Sequence, residues 1–359
     1  MIDTARGSTP AVDVTAGAAE PDGWGDLLAA CADADYSHTT HWQRCACAHQ
    51  PGAAPLWLTA RSAGRLVGGL VAVGGPRRLA GGLVRVQRLD SSLDGTSGGP
   101  LVRDDLPATR RDAVFDALVA AFAGRRRGGW SAATFALNPG SEARFGARLA
   151  GAGNWIRHDS PTAMIPLAGG AEAVAKDCWN NTKRNERNRG LKRGAEVVVT
   201  RDPDLVAAYH PLHVAASAHW GLPPVPLGRL QDLLRDPDDR VFFTCVRLEG
   251  RVIGGHLCLH HGERVFAWNG VTDPAFARSH FPGTLCFWGD VQEACRRGAA
   301  WLDIGASGGV HSLEGFKKYL GAEIRPRGWY VAESGPVRVL RRVRERLAAG
   351  RGAAPRRWH

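Results

Sequence analysis

An α/β chain built as two copies of one plan, each a mixed, mostly antiparallel sheet flanked by helices, is the fold this sequence predicts. Three observations predict it. A strand meander with short turns occurs in each half. Each meander is followed by helix, strand, helix and strand, an order that layers helices on a sheet. The chain has 359 residues and is 44% hydrophobic, enough for two cores and too apolar for a disordered chain. The expected division is a disordered leader at 1–22, a first domain at 23–165, a second, catalytic domain at 166–334, and a basic helix and tail at 335–359.

The first half opens with two short helices, WGDLLAACAD and HTTHWQRCACAH. PLWLTARSAGRLVGGLVAVGG then reads as two strands joined at Ser62-Ala63-Gly64, and GGLVRVQRLD as a third. A glycine-rich loop, SSLDGTSGGPLV, follows. In PATRRDAVFDALVAAFAGRRRG, Val114, Leu118 and Phe122 recur at helical spacing on one face. SAATFALN is a strand, SEARFGARLAGAG a helix and SPTAMIPLAGG a strand with its turn.

The second half begins with a helix expected from Gly169 to about Gly190 or Gly194, then the strand AEVVVT. PDLVAAYHPLHVAASAHWG is an amphipathic helix with Gly221 as its stop, and LGRLQDLLRD is another. RVFFTCVRLEG, RVIGGHLCLHHG and ERVFAWNGVTD form the second meander, turning at Glu249-Gly250 and Gly262-Glu263. HFPGTLCFWGDVQEACRRGA is a loop entering a helix, AWLDIGA a strand, HSLEGFKKYLGA a helix and EIRPRGWYVAE a final strand. GPVRVLRRVRERLAAG closes the chain as a basic amphipathic helix, with Val337, Leu340 and Leu347 on its apolar face and an exposed basic face expected.

The formal net charge is +11, which favours an anionic partner or substrate. The excess is concentrated in WNNTKRNERNRGLKRGAEV, where Lys183, Arg184 and Arg187 fall on neighbouring helical stripes with asparagines between them. From Lys176 to Arg193, seven basic residues face only Asp177 and Glu186, a pattern that reads as an anion-binding helix. Trp179 either stacks on a base or anchors that helix.

Eight cysteines lie in apolar or helical contexts and read as reduced thiols, not a disulfide framework. CACAH lacks a second ligand pair at zinc spacing, so no metal is expected. No run reaches the eighteen or so apolar residues of a membrane span, and the first residues lack a signal-type apolar core. The expectation is a cytoplasmic protein without integral membrane association.

A meander, a Gly/Pro loop and then a helix resemble the GNAT acyltransferase layout. There, backbone N–H groups and the helix dipole hold a donor pyrophosphate. The corresponding loop, ARSHFPGTLCFW, places Phe281-Pro282 at its centre and leaves Gly283 for close backbone approach; Trp288 ends the segment as a further donor-contact candidate. Several stretches in order resemble the Fem-type (FemAB-like) branch of tandem GNAT proteins over about 30–330. They are SGGPLV, TAMIPLAGGAEAVAKDCWNNTKRNERNRGLKRGAEV, GRVIGGHLCLHHGERVFAWNGVTDPAF and GAAWLDIGASGGVHSLEGFKKYLGAE. That resemblance implies transfer of an aminoacyl group from aminoacyl-tRNA, or of another acyl group, to an amine. It also implies that Lys317 of GFKK stabilises charge on the donor or the oxyanion and that Phe316 walls the site.

The attacking amine must lose a proton. Asp303, at the end of AWLDIG, and Asp273, at the end of the meander, are the catalytic acid-base candidates, with His311 and His256 as alternatives. His311 is also a candidate substrate contact. No Ser-His-Asp order or G-x-S-x-G elbow supports a covalent serine mechanism. The expected reaction is N-acylation of a small-molecule or peptide-like amine, with aminoacyl-tRNA favoured over acyl-CoA or a carrier-protein thioester as co-substrate and no tightly bound cofactor. A non-catalytic RNA-binding GNAT-like protein is the alternative from another class.

Overall fold

The computed structural model describes residues 12–79, 84–126, 129, 131–151 and 155–349, with side chains described except at 77–79 and 344–349. In the first half, β1 (Asp13–Gly17) precedes α1 (Trp24–Ala29) and α2 (Thr40–Ala48). Next come β2 (Ala54–Ser62), β3 (Arg65–Leu79), β4 (Val84–Asp90), β5 (Leu101–Val102), α3 (Ala108–Gly124), β6 (Ser131–Ala136), α4 (Pro139–Gly151) and β7 (Ile156–Asp159). The β2–β3 hairpin turns on Ala63 and Gly64, both left-handed at φ 48° and 78°, as a two-residue turn matched to strand twist requires. Val114, Leu118 and Phe122 of α3 are fully buried, as their spacing predicts. They pack with Phe115, Phe135 and Tyr330 into the core of the first sheet.

The second half contains β8 (Thr162–Pro166), α5 (Ala171–Ala173) running into a π-turn at Val174–Cys178, α6 (Asn181–Lys192), β9 (Glu196–Thr200), α7 (Pro203–Trp220) and α8 (Leu227–Leu234). The meander β10 (Val241–Leu248), β11 (Arg251–His261) and β12 (Arg264–Thr272) follows, then α9 (Pro282–Arg296), β13 (Trp301–Asp303), α10 (His311–Tyr319), β14 (Glu323–Arg325), β15 (Gly328–Glu333) and α11 (Gly335–Ala349). Gly221 ends α7 in a left-handed cap at φ 66°.

Four expectations need correction. The leader is ordered over Asp13–Gly17, which pairs antiparallel with β2; residues 1–11 lie outside the described residues. The helix expected from Gly169 is broken at Trp179-Asn180, because the Asn180 side chain accepts the Lys183 N–H (2.9 Å) and starts α6 afresh. The final strand is two strands split by Pro326. Finally, the boundary near 165 does not separate the sheets. One runs β1-β2-β3-β4-β6-β15-β7 with β5 on β3, and the other runs β14-β8-β13-β12-β11-β10-β9. β8 therefore belongs with the second sheet, and β15 returns to complete the first. Arg327 secures that crossing through the carbonyls of Ser160 (3.0 Å) and Gly95 (3.3 Å).

The two units share a core. Trp42 of α2 and Leu93 of the first unit pack with Val206, Tyr209, Leu230 and Phe243 on one face of the second sheet. The other face lies under α9. All eight cysteines are free. Among the described residues no helix is long and apolar enough to cross a membrane. α11 docks through buried Val337 and an Arg341–Glu333 pair (3.0 Å), leaving Arg338 and Arg342 exposed; the side chain of Leu347 lies outside those described.

Candidate active site

The meander places β12 in the middle of the second sheet, yet among the described residues its far half has no strand partner on one side. β12 pairs in parallel with β13 only at Arg264–Phe266 against Trp301–Asp303. Beyond Phe266 and Asp303 the strands part. Ala267, Trp268 and Asn269 are half-buried and Gly270 is exposed, which is unusual for a central strand. The first unit has the same parallel pair, Gln87–Asp90 against Ser131–Thr134, but its fork is closed. There the Ser91–Gly98 loop continues the pairing, with Ser91 N–H on the Thr134 carbonyl (2.9 Å) and Gly98 N–H on that of Ala136 (2.8 Å). Among the described residues, the open strand edge at a fork is that of the second unit.

A bulge re-aims the open edge. Leu257 faces Asn269 and Cys258 faces Ala267, so Trp268 is the extra residue. Its indole donates to the Asp94 carbonyl (2.9 Å) and meets Trp42 edge-on at 5.1 Å, which ties the site strand to the first unit. A narrow interdomain cleft, with enclosed room for little more than one water (≈20 Å³), reaches the fork. Asp35, Arg264, Phe266, Asp303 and Arg327 are among the residues lining it.

Lys317 stands behind the fork. The residue is only 3% exposed, and its ammonium donates to the carbonyls of Gly305 (2.8 Å) and Ala306 (3.1 Å) at the end of β13. Burial, partly offset by the negative charge of Asp303, lowers its pKa to about 8. Asp303 accepts from Thr162 Oγ1 (2.5 Å) and from the Gly305 N–H (2.8 Å), so its carboxylate is fixed where the strands diverge. The sequence-derived pair Lys317 and Asp303 thus comes together.

A second group assembles at the N-terminus of α9. Gly283 sits in its first turn, where an added Cβ would stand 3.9 Å from both Phe316 and Thr272. Lys183 lies over the Phe316 ring at 4.2 Å and pairs with Glu186 at 2.6 Å. Thr284 Oγ1 donates to the same Glu186 oxygen (2.5 Å). Phe316, Lys183 and Gly283 therefore share one patch. The stripe expected to face an anion instead packs inward, since Lys183 and Gly190 are buried against α9 and the loop before it.

Other candidates are placed elsewhere. Arg184 donates to the carbonyls of Lys176 and Trp179, capping the π-turn. Arg187 stacks on Trp288 at 4.4 Å and pairs with Glu172 (3.3 Å). Trp288 is buried beneath it and meets Trp179 edge-on at 5.9 Å, so both tryptophans anchor helices. Asp273 caps the turn after β12, accepting from the Ala275 N–H (3.0 Å), and pairs with Arg251 (2.6 Å). It lies at the opposite end of β12 from Asp303, about 20 Å along the strand. His311 has a 98% exposed side chain beside Glu314. Cations left exposed on and just after α6 are Arg189, Lys192 and Arg193.

Sequence reasoning missed a partner for His256. On β11, His256 Nδ1 lies 2.5 Å from Asp290 Oδ2 of α9, and Cys258 Sγ donates to the other oxygen (3.3 Å). Asp290 is wholly buried. The imidazole lies over Gly270, whose Cα could carry no side chain: an added Cβ would collide with His256 Cδ2. Phe287, at 4.5 Å from that ring and 5.9 Å from Phe316, links the dyad to the rest of the site.

Residues 180–318 match the family model described as "Acetyltransferase (GNAT) domain", a span running from the cap of α6 to the residue after Lys317. Over the whole chain the structure is similar to that of FemX, with a TM-score of 0.67 at 11% identity, covering 92% of this chain and 99% of that one. The fold is that of a tandem GNAT protein. A second neighbour is a tandem GNAT protein from the clavulanic acid biosynthesis pathway, with a TM-score of 0.56 at 16% identity, covering 91% of this chain and 99% of that one. No curated protein matches the chain by sequence. In this tandem GNAT architecture the open fork, Lys317 and the α9 N-terminus all fall in the second GNAT unit, inside the matched span. Among the described residues no group of three His, Cys, Asp or Glu side chains is placed to hold a metal ion.

Proposed function

We propose that this protein is an N-acyltransferase that forms an amide at the β12–β13 fork, with an aminoacyl ester of tRNA as donor. The observation that carries this reading is the open edge of a central strand beside a buried lysine, in a GNAT unit whose twin has its fork closed. An unpaired strand edge binds an extended amide-bearing chain through main-chain hydrogen bonds. An amine held there attacks the acyl carbonyl; the C–N bond forms and the C–O bond to the donor breaks. Negative charge builds on the carbonyl oxygen. The Lys317 ammonium uses two of its three donors on Gly305 and Ala306, and the third supplies the positive end for that charge. Asp303, at the head of the interdomain cleft, orients the incoming amine.

The α9 N-terminus favours an ester donor over coenzyme A. A diphosphate seat needs free backbone N–H groups and a positive field. Here Pro282 provides no N–H, and the Glu186 carboxylate already stands over the first turn, held by Lys183 and Thr284. The exposed cations Arg189, Lys192 and Arg193 provide a surface for a polyanion instead.

Purified protein mixed separately with charged tRNA and with an acyl-CoA pool, each with a panel of amino-sugar and peptide amines, tests the proposal. The expected result is amide formation and donor consumption with charged tRNA, abolished by RNase pretreatment. Consumption of acyl-CoA that is indifferent to RNase would replace the ester donor by a thioester, and no turnover with either would remove the enzyme reading.

A further inference from the structure

We infer that His256 is the general base of the transfer and that Asp290 is its positioning residue, a step that rests on the acyltransferase reading above. A carboxylate only accepts, so at the 2.5 Å contact the proton lies on His256 Nδ1. Cys258 supplies a second donor to Asp290, so this fully buried carboxylate is satisfied by two protein groups and holds the ring in one orientation. Nε2 is then the basic nitrogen. It has no hydrogen-bond partner among the described residues, and it is not sealed from solvent.

Placement supplies the second half. β11 is inside the sheet, and the ring reaches across Gly270 of β12 toward the unpaired side of that strand. Gly270 is the exposed residue of the open edge. A side chain there would collide with the imidazole, so the glycine is what lets the ring lie across the open edge of β12. Asp273 is held in an ion pair with Arg251, His311 stands in open solvent beside Glu314, and Asp303 spends one oxygen on Thr162 and Gly305.

The step balances without any other reagent. The amine nitrogen forms its bond to the acyl carbon and becomes positively charged. Nε2 takes one of its protons, giving an imidazolium that Asp290 stabilises. As the tetrahedral adduct collapses, the C–O bond breaks and the leaving oxygen takes the proton, directly or through water, returning His256 to its neutral form.

The test uses full-length protein and the donor that passes the experiment above, comparing wild type with His256→Gln, His256→Ala and Asp290→Asn. The expected loss in kcat is about 10²–10⁴-fold for either histidine variant, with the acidic limb of the pH profile removed and partial rescue of His256→Ala by added imidazole. Asp290→Asn should lower kcat with KM little changed and shift that limb. Wild-type turnover and an unaltered pH profile in folded His256→Gln would overturn the inference while leaving the acyltransferase reading intact. Nitrogen-15 NMR of the histidines gives an arm independent of turnover. The His256 signal, assigned by its loss in His256→Gln, should report protonated Nδ1 and bare Nε2; a proton on Nε2 in the neutral form would overturn the inference even if no donor is found.

Discussion

Lys317→Met should slow transfer by roughly 10²–10³-fold while leaving the protein as stable as wild type or more so. The two effects have one cause. The ammonium is buried, and its pKa is lowered from 10.5 to about 8. In the unfolded chain it returns to the ordinary value, so between pH 8 and 10.5 the unfolded state binds more protons and stability rises with pH. Below pH 8 both states are charged and the full cost of burying the charge is present, about 3 kcal/mol from a shift of this size. Methionine keeps the stem and removes the charge, so Lys317→Met should melt at an equal or higher temperature at pH 7. It should also lose the extra rise in stability that wild type shows between pH 8 and 10. Loss of a fixed positive donor to the oxyanion should lower kcat by roughly 10²–10³-fold. Thermal melts across that pH range, paired with the amide-forming assay, check both halves. A variant that is markedly destabilised yet turns over normally when folded would make Lys317 a purely structural residue.

Trp42→Ala should produce the largest loss of stability of any single change at the unit interface. Trp42 is fully buried between Tyr36 (6.2 Å) and Trp268 (5.1 Å), with the Arg229 guanidinium over its ring at 5.0 Å. Its deletion leaves a cavity in a core built from both units, which costs about 3–5 kcal/mol. The damage should not stay in the core. Trp268 is the bulge residue of β12, so loosening its packing frees the strand whose edge forms the fork. Denaturant unfolding should show the full loss, and turnover measured well below the new midpoint should also fall. A destabilisation below about 1 kcal/mol would mean that the two units hold together through other contacts.

Much of this arrangement was legible in the residues because it depends on short-range chemistry. Turn residues punctuate both meanders, the 3.6-residue spacing of Val114, Leu118 and Phe122 marks a buried face, and Gly221 stops α7 where a left-handed residue is needed. Lys317 was singled out by the resemblance of GFKK to the Fem-type segment, and its burial is something that resemblance did not give. What escaped was set by distant pairing or by local competition. β14 and β15 are two residues apart yet enter different sheets, a parting that Pro326 signals only in retrospect. The Asn180 cap was hidden among four asparagines in a helical-looking run. The positive charge of α6 looked available because its carbonyl partners in the π-turn cannot be read from sequence, although the i,i+3 spacing of Lys183 and Glu186 was visible. His256 and Asp290 are 34 residues apart on a strand and a helix, and only the sheet–helix packing brings them together.

The account rests on the unpaired edge of β12 being where donor and acceptor meet. Amide hydrogen exchange with and without a charged tRNA whose aminoacyl ester is replaced by an amide tests this most directly. Slower exchange at residues 267–272 and in the Gly305–Gly309 segment, with the closed fork at Ser91–Gly98 unchanged, is the predicted result. Saturating binding that leaves 267–272 untouched, or protection confined to the first sheet, would contradict it.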